Sequence, residues 1–269
     1  RSAMEKTAEN LVALDGKALA PGACTVIEEV GSTAVGALTL GFLALAVSAV
    51  FMVAKATASD EVRKVFYLIN SFVCGIAAVS YFAMLSGQGW FIIAGCRQFF
   101  FARYIDWAIT TPLLLLDLAL LAGQDTVTVI SIVGADLLMI FGGYMGAVST
   151  LTAVKWFWFL FGLCMGGVVF MAVTRTFKDS LSLTADQFRD AKRIELYGKL
   201  SWLTVILWGF YPIVWLFAEG FGAVSVSFEV VAYTITDLIA KVAFSFLVVQ
   251  GHEALASSSL ETRGLGDSC

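Results

Sequence analysis

Seven long, mostly apolar stretches constrain this chain more than anything else in it. They run approximately Ser32–Ala54, Val65–Leu85, Gln98–Leu121, Thr126–Val148, Val154–Thr176, Arg193–Phe217 and Val226–Gln250. Each is near the ~20 residues needed to cross a hydrocarbon core of roughly 30 Å at about 1.5 Å of rise per residue. Lipid offers the backbone no hydrogen-bond partners, so each stretch is expected to be a helix. Continuous rather than alternating apolar character argues against a barrel. The expected fold is an all-α membrane protein, a seven-transmembrane-helix bundle. Composition agrees: hydrophobic residues are 59% and charged residues 14% of the 269. A soluble chain has about 25% charged residues, and disorder is excluded by the abundance of apolar side chains.

Three regions follow: an N-terminal segment 1–31, a bundle 32–250 and a Ser/Gly-rich tail 251–269, expected to be disordered. Residues 1–31 contain no long apolar core, so no signal peptide is expected there. Most connections are short and join antiparallel neighbours; Phe177–Lys192 is longer and polar, and reads as a solvated loop with a helix extension. Ten Lys and Arg fall on one side of the spans (Lys55, Arg63, Lys64, Arg175, Lys178, Arg189, Lys192, Arg193, Lys199, Arg263) and five on the other (Arg1, Lys6, Lys17, Arg97, Lys155). Basic residues favour the cytoplasmic side, which puts the N-terminus outside and the C-terminus in the cytoplasm. Net charge of −4 makes nucleic acid an unsuitable partner. The five Cys are scattered, without a CxxC pair, which argues against a disulfide framework or zinc site.

Ionisable residues inside the spans carry the chemistry. A charge at mid-bilayer costs at least about 2.5–3.5 kcal/mol, so each one needs a reason. Lys241 lies deep in the seventh span and Asp237 one turn before it on the same face. The two could form a structural ion pair, or Lys241 could be a reactive amine of the kind that forms Schiff bases. In the third span Arg103 is one turn from Asp106 and able to offset its charge. Asp106 and Asp117, eleven residues apart, face the same way about 16 Å apart along the axis. They could be polar contacts between helices or two stations of a proton path. The sixth span carries Trp208, Tyr211, Pro212 and Trp215, and the spacing puts the Trp and Tyr rings on one face. That is either ordinary aromatic packing or one wall of a slot for a long flat cofactor. Gly142, Gly143, Gly162 and Gly166 leave room or allow close helix contact.

Three runs resemble one family. Arg103–Asp117, RYIDWAITTPLLLLD, is similar to the third helix of the microbial (type 1) rhodopsins. Asp237–Lys241 resembles their D-x-x-x-K motif, and Trp208–Trp215 their sixth-helix W-x-x-Y-P-x-x-W. The resemblance covers all seven spans. It implies all-trans retinal bound to Lys241 as a protonated Schiff base, with Asp106 and Asp237 as counter-ions and Arg103 as a release gate. The matching pocket positions are Tyr81, Tyr104, Trp107, Thr110, Thr111, Leu114, Asp136, Met139, Gly143, Phe159, Gly162, Trp208, Tyr211, Pro212 and Trp215. Asp136 would be a protonated carboxyl near Thr111. Asp106, Thr110 and Asp117 form the D-T-D set of the bacteriorhodopsin-like outward proton pumps, in which Asp106 accepts the proton and Asp117 donates one. Glu219 and Glu229 match the family's release glutamates if one residue is deleted before Glu219; without the resemblance they would be an exposed acidic loop.

The resemblance therefore implies a light-driven outward proton pump in a plasma membrane, a eukaryotic member not itself an enzyme, able to form homo-oligomers. A sensory photoreceptor or a light-gated channel are the alternatives. Cys74 stands where some pumps have proline, Phe159 where Trp is usual, and no His lies in the spans.

Overall fold

The computed structural model describes residues 24, 26–176 and 189–251. Among the described residues, seven helices are long and apolar enough to cross a membrane, and they form one bundle. They are α1 (Ser32–Thr57), α2 (Glu61–Leu85), α3 (Phe101–Ala122), α4 (Thr126–Val148), α5 (Thr152–Met171), α6 (Arg189–Trp215) and α7 (Val226–Asp237), the last running on through a π-helical turn to complete a span of Val226–Gly251. Helices α5, α6 and α7 continue into π-helical turns at Ala172–Thr176, Leu216–Gly220 and Leu238–Ala243. The last of these carries Lys241, and such turns are frequent at functional sites.

Side chains set the helix ends. Asp60 accepts the Arg63 N–H at 3.0 Å, Asp125 accepts those of Val127 and Thr128 at 2.9 and 3.1 Å, and Ser225 accepts that of Phe228 at 3.2 Å. These bonds satisfy donors that a helix start leaves free. Gly123 ends α3 at φ 70°, a left-handed conformation that suits glycine. Pro112 and Pro212 lie within α3 and α6, as neighbouring helices permit in a membrane bundle.

The bundle is apolar outside and charged inside. Leu40, Val47, Val50, Phe72, Val79, Phe157 and Trp202 are among the large side chains turned outward. Arg103, Asp106, Asp117, Asp136, Glu219, Glu229, Asp237 and Lys241 are all buried. This inversion of the soluble pattern suits a lipid surround, in which ionisable groups face the bundle interior.

The structure amends the sequence reading in three places. The third span begins at Phe101 rather than Gln98, because Arg97–Phe99 (β2) pairs antiparallel with Phe91–Ile93 (β1) as a hairpin before it. At the same end of the bundle, Glu28 adds a parallel bridge to Arg97. Second, Cys24 and Cys96 form a disulfide, against the expectation from their spacing; a separation of 72 residues in sequence gives no sign of the pairing. Third, the π turns carry the sixth helical span on to Gly220. The tail beyond Gly251, most of the N-terminal segment and residues 177–188 lie outside the described residues, although Arg189–Lys192 is helical, in line with the expected helix extension.

Candidate functional site: a buried lysine among carboxylates

The π turn in α7 brings Lys241 against α3, where its ammonium bonds to Asp106 Oδ2. Asp237 Oδ1 lies 3.6 Å from the same nitrogen. Lys241 is 1% exposed, and Asp106 and Asp237 are 1% and 0%. Such burial is tolerated only where charges are paired and hydrogen-bonded. Asp237 meets that condition by accepting from Tyr81 Oη at 2.8 Å, Tyr211 Oη at 2.6 Å and Trp107 Nε1 at 3.2 Å. Donors from α2, α3 and α6 thus fix one carboxylate of α7. Asp106 Oδ1 has no hydrogen-bond partner among the described residues.

Arg103 departs from the sequence expectation. Its guanidinium makes no ion pair with Asp106 among the described residues; it bonds Glu229 at 2.7 Å and lies 4.4 Å from the Tyr233 ring centre. One helical turn allows a charge to be offset, but a long side chain goes where a better-placed carboxylate draws it. Glu219 and Glu229, which without the resemblance read as an exposed acidic loop, are buried at this end. Glu219 Oε1 is 3.4 Å from Tyr104 Oη, and its main-chain carbonyl accepts from Lys155 Nζ at 2.7 Å.

Asp117 lies toward the opposite end of α3, among Leu113–Leu118. Asn70 of α2 donates to its Oδ2 at 2.6 Å and to the Phe66 carbonyl at 2.9 Å. Leu114, Leu115 and Leu118, which flank Asp117 on α3, belong to a buried apolar cluster with Trp208 and with Phe244, three residues after Lys241. Thr110 Oγ1 donates to the Asp106 carbonyl at 2.9 Å. Thr111 Oγ1 is 2.7 Å from both the Trp107 carbonyl and Asp136 Oδ2. A hydroxyl carries one proton and the carbonyl can only accept, so both bonds form together only if Asp136 brings a proton of its own.

A cavity of about 230 Å³ lies beside this cluster. Trp107 and Tyr211, both bonded to Asp237, form its polar end. Tyr104, Thr111, Met139, Gly143, Phe159, Gly162, Trp208, Pro212 and Trp215 line it as the sequence predicts. Lys241, Tyr81, Thr110, Leu114 and Asp136 do not line it; Lys241 and Tyr81 meet it through Asp237, and Asp136 through Thr111. Phe159 stacks on Trp215 at 4.7 Å, and Trp215 Nε1 donates to the Gly143 carbonyl at 3.0 Å. Gly142 and Gly162 let α4 and α5 touch: a Cβ on Gly142 would sit 3.0 Å from the Trp158 carbonyl.

The sequence reading missed two contributors, Tyr233 and Arg97, and the partner of a third, Asn70, which it had as the inward polar residue of the second span. Tyr233, on the cavity wall, lies four residues before Asp237 and eight before Lys241, a same-face spacing that could have revealed it. Arg97 gave no signal beyond its charge.

The sequence matches the Bacteriorhodopsin-like protein family over residues 33–255. The chain belongs to that family. Among its relatives, archaerhodopsin-3 of Halorubrum sodomense is 35% identical over 213 residues, 77% of this chain and 80% of that protein. Opsin-1 of Neurospora crassa is 33% identical over 220 residues, 75% of this chain and 71% of the relative. The solved structure of the light-driven proton pump LR (Mac) from Leptosphaeria maculans superposes with a TM-score of 0.80 at 29% identity, covering 87% of this chain and 99% of that one. This rhodopsin is therefore an integral multi-pass membrane protein and not an enzyme, and its family implies a retinal chromophore. The site fits one: an aromatic slot is lined at one end by Trp107 and Tyr211, both bonded to Asp237, and the buried Lys241 amine lies 3.6 Å from that same carboxylate.

Proposed function

We propose that this rhodopsin pumps protons outward in the light, with all-trans retinal held on Lys241 and the slot of Trp107, Trp208, Tyr211 and Trp215 around it. Retinal held there would supply light absorption and an isomerisation able to lower the proton affinity of the Lys241 nitrogen. The residues do the rest. Asp106 Oδ2 accepts the proton from Lys241, while Asp237, held by three donors, remains the fixed negative charge. Arg103 links this centre to Glu229 and Glu219, where a proton leaves. Asp117 resupplies Lys241 across the apolar cluster and is refilled from the opposite end. Access must alternate between the two ends, since otherwise both carboxylates would equilibrate with one side.

The observation that carries this reading is the series of buried ionisable groups along α3 and its neighbours: Asp106 bonds Lys241, Asp117 lies three turns one way along α3, and Arg103, bonded to Glu229, lies one turn the other way. The similarity to LR (Mac), described as a light-driven proton pump, supports it. The hairpin end then faces outside, the C-terminus lies in the cytoplasm, and the protein acts in a plasma membrane, as a homo-oligomer if it assembles. The test is light-driven current at zero voltage. Wild type should give a steady outward current that Asp106→Asn abolishes. A current that reverses with voltage would indicate a channel, and a photocycle without current a sensor; either result would overturn the proposal.

A further inference from the structure

The outer carboxylates are not equivalent. Glu229 accepts from two different guanidiniums: Arg103 reaches Oε1 at 2.7 Å and Arg97 reaches Oε2 at 2.8 Å. Guanidinium groups only donate, and a proton on either oxygen would take away the charge that strengthens both bonds and weaken the one on its own oxygen. Glu219 touches no cation with its carboxyl among the described residues. Its Oε1 has the Tyr104 hydroxyl at 3.4 Å, and its buried Oε2 has no partner among the described residues. Lys155, the nearby amine, bonds the main chain of Glu219 instead. A buried carboxyl without a counter-charge is accommodated more cheaply as the neutral acid.

Arg97 is also better anchored than Arg103. Its Nη1 donates to Glu28 Oε2 at 3.0 Å and to the Val224 carbonyl at 2.8 Å. Glu28 Oε1 in turn accepts from the Val226 N–H at 3.1 Å. The Glu28 main chain bonds Cys96 and Gln98 on either side of Arg97, and Cys96 is disulfide-linked to Cys24. Arg103 instead projects from α3 one turn from Asp106, and its guanidinium bonds Glu229 alone among the carboxylates of the described residues.

Building on the pumping reading, we propose that Arg97 is a positioning residue for proton exit: it holds Glu229 as a permanent carboxylate, so that Glu219 alone stores the proton that leaves. Arg103 can then respond to Asp106 without leaving Glu229 bare.

Infrared difference spectra of dark-adapted membranes test this, wild type minus each variant. Glu219→Gln should remove a carboxylic-acid C=O band that Glu229→Gln leaves in place. Arg97→Gln should create a new carboxylic band, absent from the Arg97→Gln/Glu229→Gln double variant, and Arg97→Lys should restore the wild-type spectrum. Retention of the visible absorption band reports that each variant is folded. Glu28→Gln, which weakens one anchor of Arg97, should give the same new band at lower intensity. Loss of the band in Glu229→Gln but not in Glu219→Gln would overturn the proposal, as would Arg97→Gln and Glu28→Gln spectra identical to wild type. The dark spectra need no proton transport. If they behave as expected while a pH dye detects no flash-induced release from wild type, the pumping reading fails and the assignment of the proton stands.

Discussion

Gly41→Ala should destabilise this protein although the substitution adds a good helix former. At an unobstructed helical site, replacing Gly by Ala gains about 0.5–1 kcal/mol. At Gly41 the new Cβ would lie 2.5 and 2.7 Å from Cε1 and Cδ1 of Tyr81, and 3.1 Å from Thr234 Cγ2. Ordinary carbon contacts are about 3.5–4.0 Å, so the ring must retreat by about 1 Å. Tyr81 Oη now donates to Asp237 at 2.8 Å, and that retreat stretches the bond beyond useful range. Losing a hydrogen bond to a charged group costs about 1.5–3 kcal/mol and overpacking about 1–3 kcal/mol. With the helical gain set against them, the net loss is about 2–5 kcal/mol. Gly36 is the control: it lies in the same helix, and a Cβ there meets nothing within 4 Å. Unfolding in detergent, followed by loss of the visible band, should rank Gly36→Ala at or above wild type and Gly41→Ala well below. Tyr81→Phe deletes the hydroxyl and keeps the ring. In that background Gly41→Ala should cost about 1.5–3 kcal/mol less, the coupling expected of residues in contact. Equal stabilities for the two alanine variants, or full additivity of Gly41→Ala with Tyr81→Phe, would refute the reasoning.

Asp117→Asn should slow thermal recovery of the photocycle by about 10²-fold or more, the scale of a lost general acid, and added azide should restore it; flash spectroscopy at the visible maximum checks both. Outside the membrane, hydrogen bonds from the Thr128 side chain and from the Thr128 and Val127 main chain hold the Asp125 carboxyl below its usual range. Its cap should therefore contribute stability above about pH 4, the unfolded value, and lose it as pH falls through the lowered folded value. In acid titrations of helix content Asp125→Ala should lose the cap at every pH, whereas Asp125→Asn should keep it without the pH dependence. Cys24→Ser should lower stability by about 2–4 kcal/mol, and a thiol reductant should reproduce the loss in wild type but not in the variant, as read by thermal bleaching.

Much of the site is legible in the amino-acid sequence. The lysine and its two carboxylates, Asp117, and the Trp–Tyr–Trp wall follow from helical spacing or from the family motifs, because both are local in sequence. Arg103 shows where locality stops: the sequence put it one turn from Asp106, yet its guanidinium went to Glu229, 126 residues away. Glu219 and Glu229 could not be told from a surface loop, since nothing nearby in the chain reveals their burial.

Seven apolar runs, each long enough to cross a bilayer, determined on their own that the chain would be a bundle of helices, because lipid leaves the backbone no other way to satisfy its hydrogen bonds. Which side chain would neutralise which charge was decided only by packing. The partners of Glu229, Asp117 and Cys24 lie on separate elements, and interactions of a few ångströms become specified only when tertiary contacts bring those elements together.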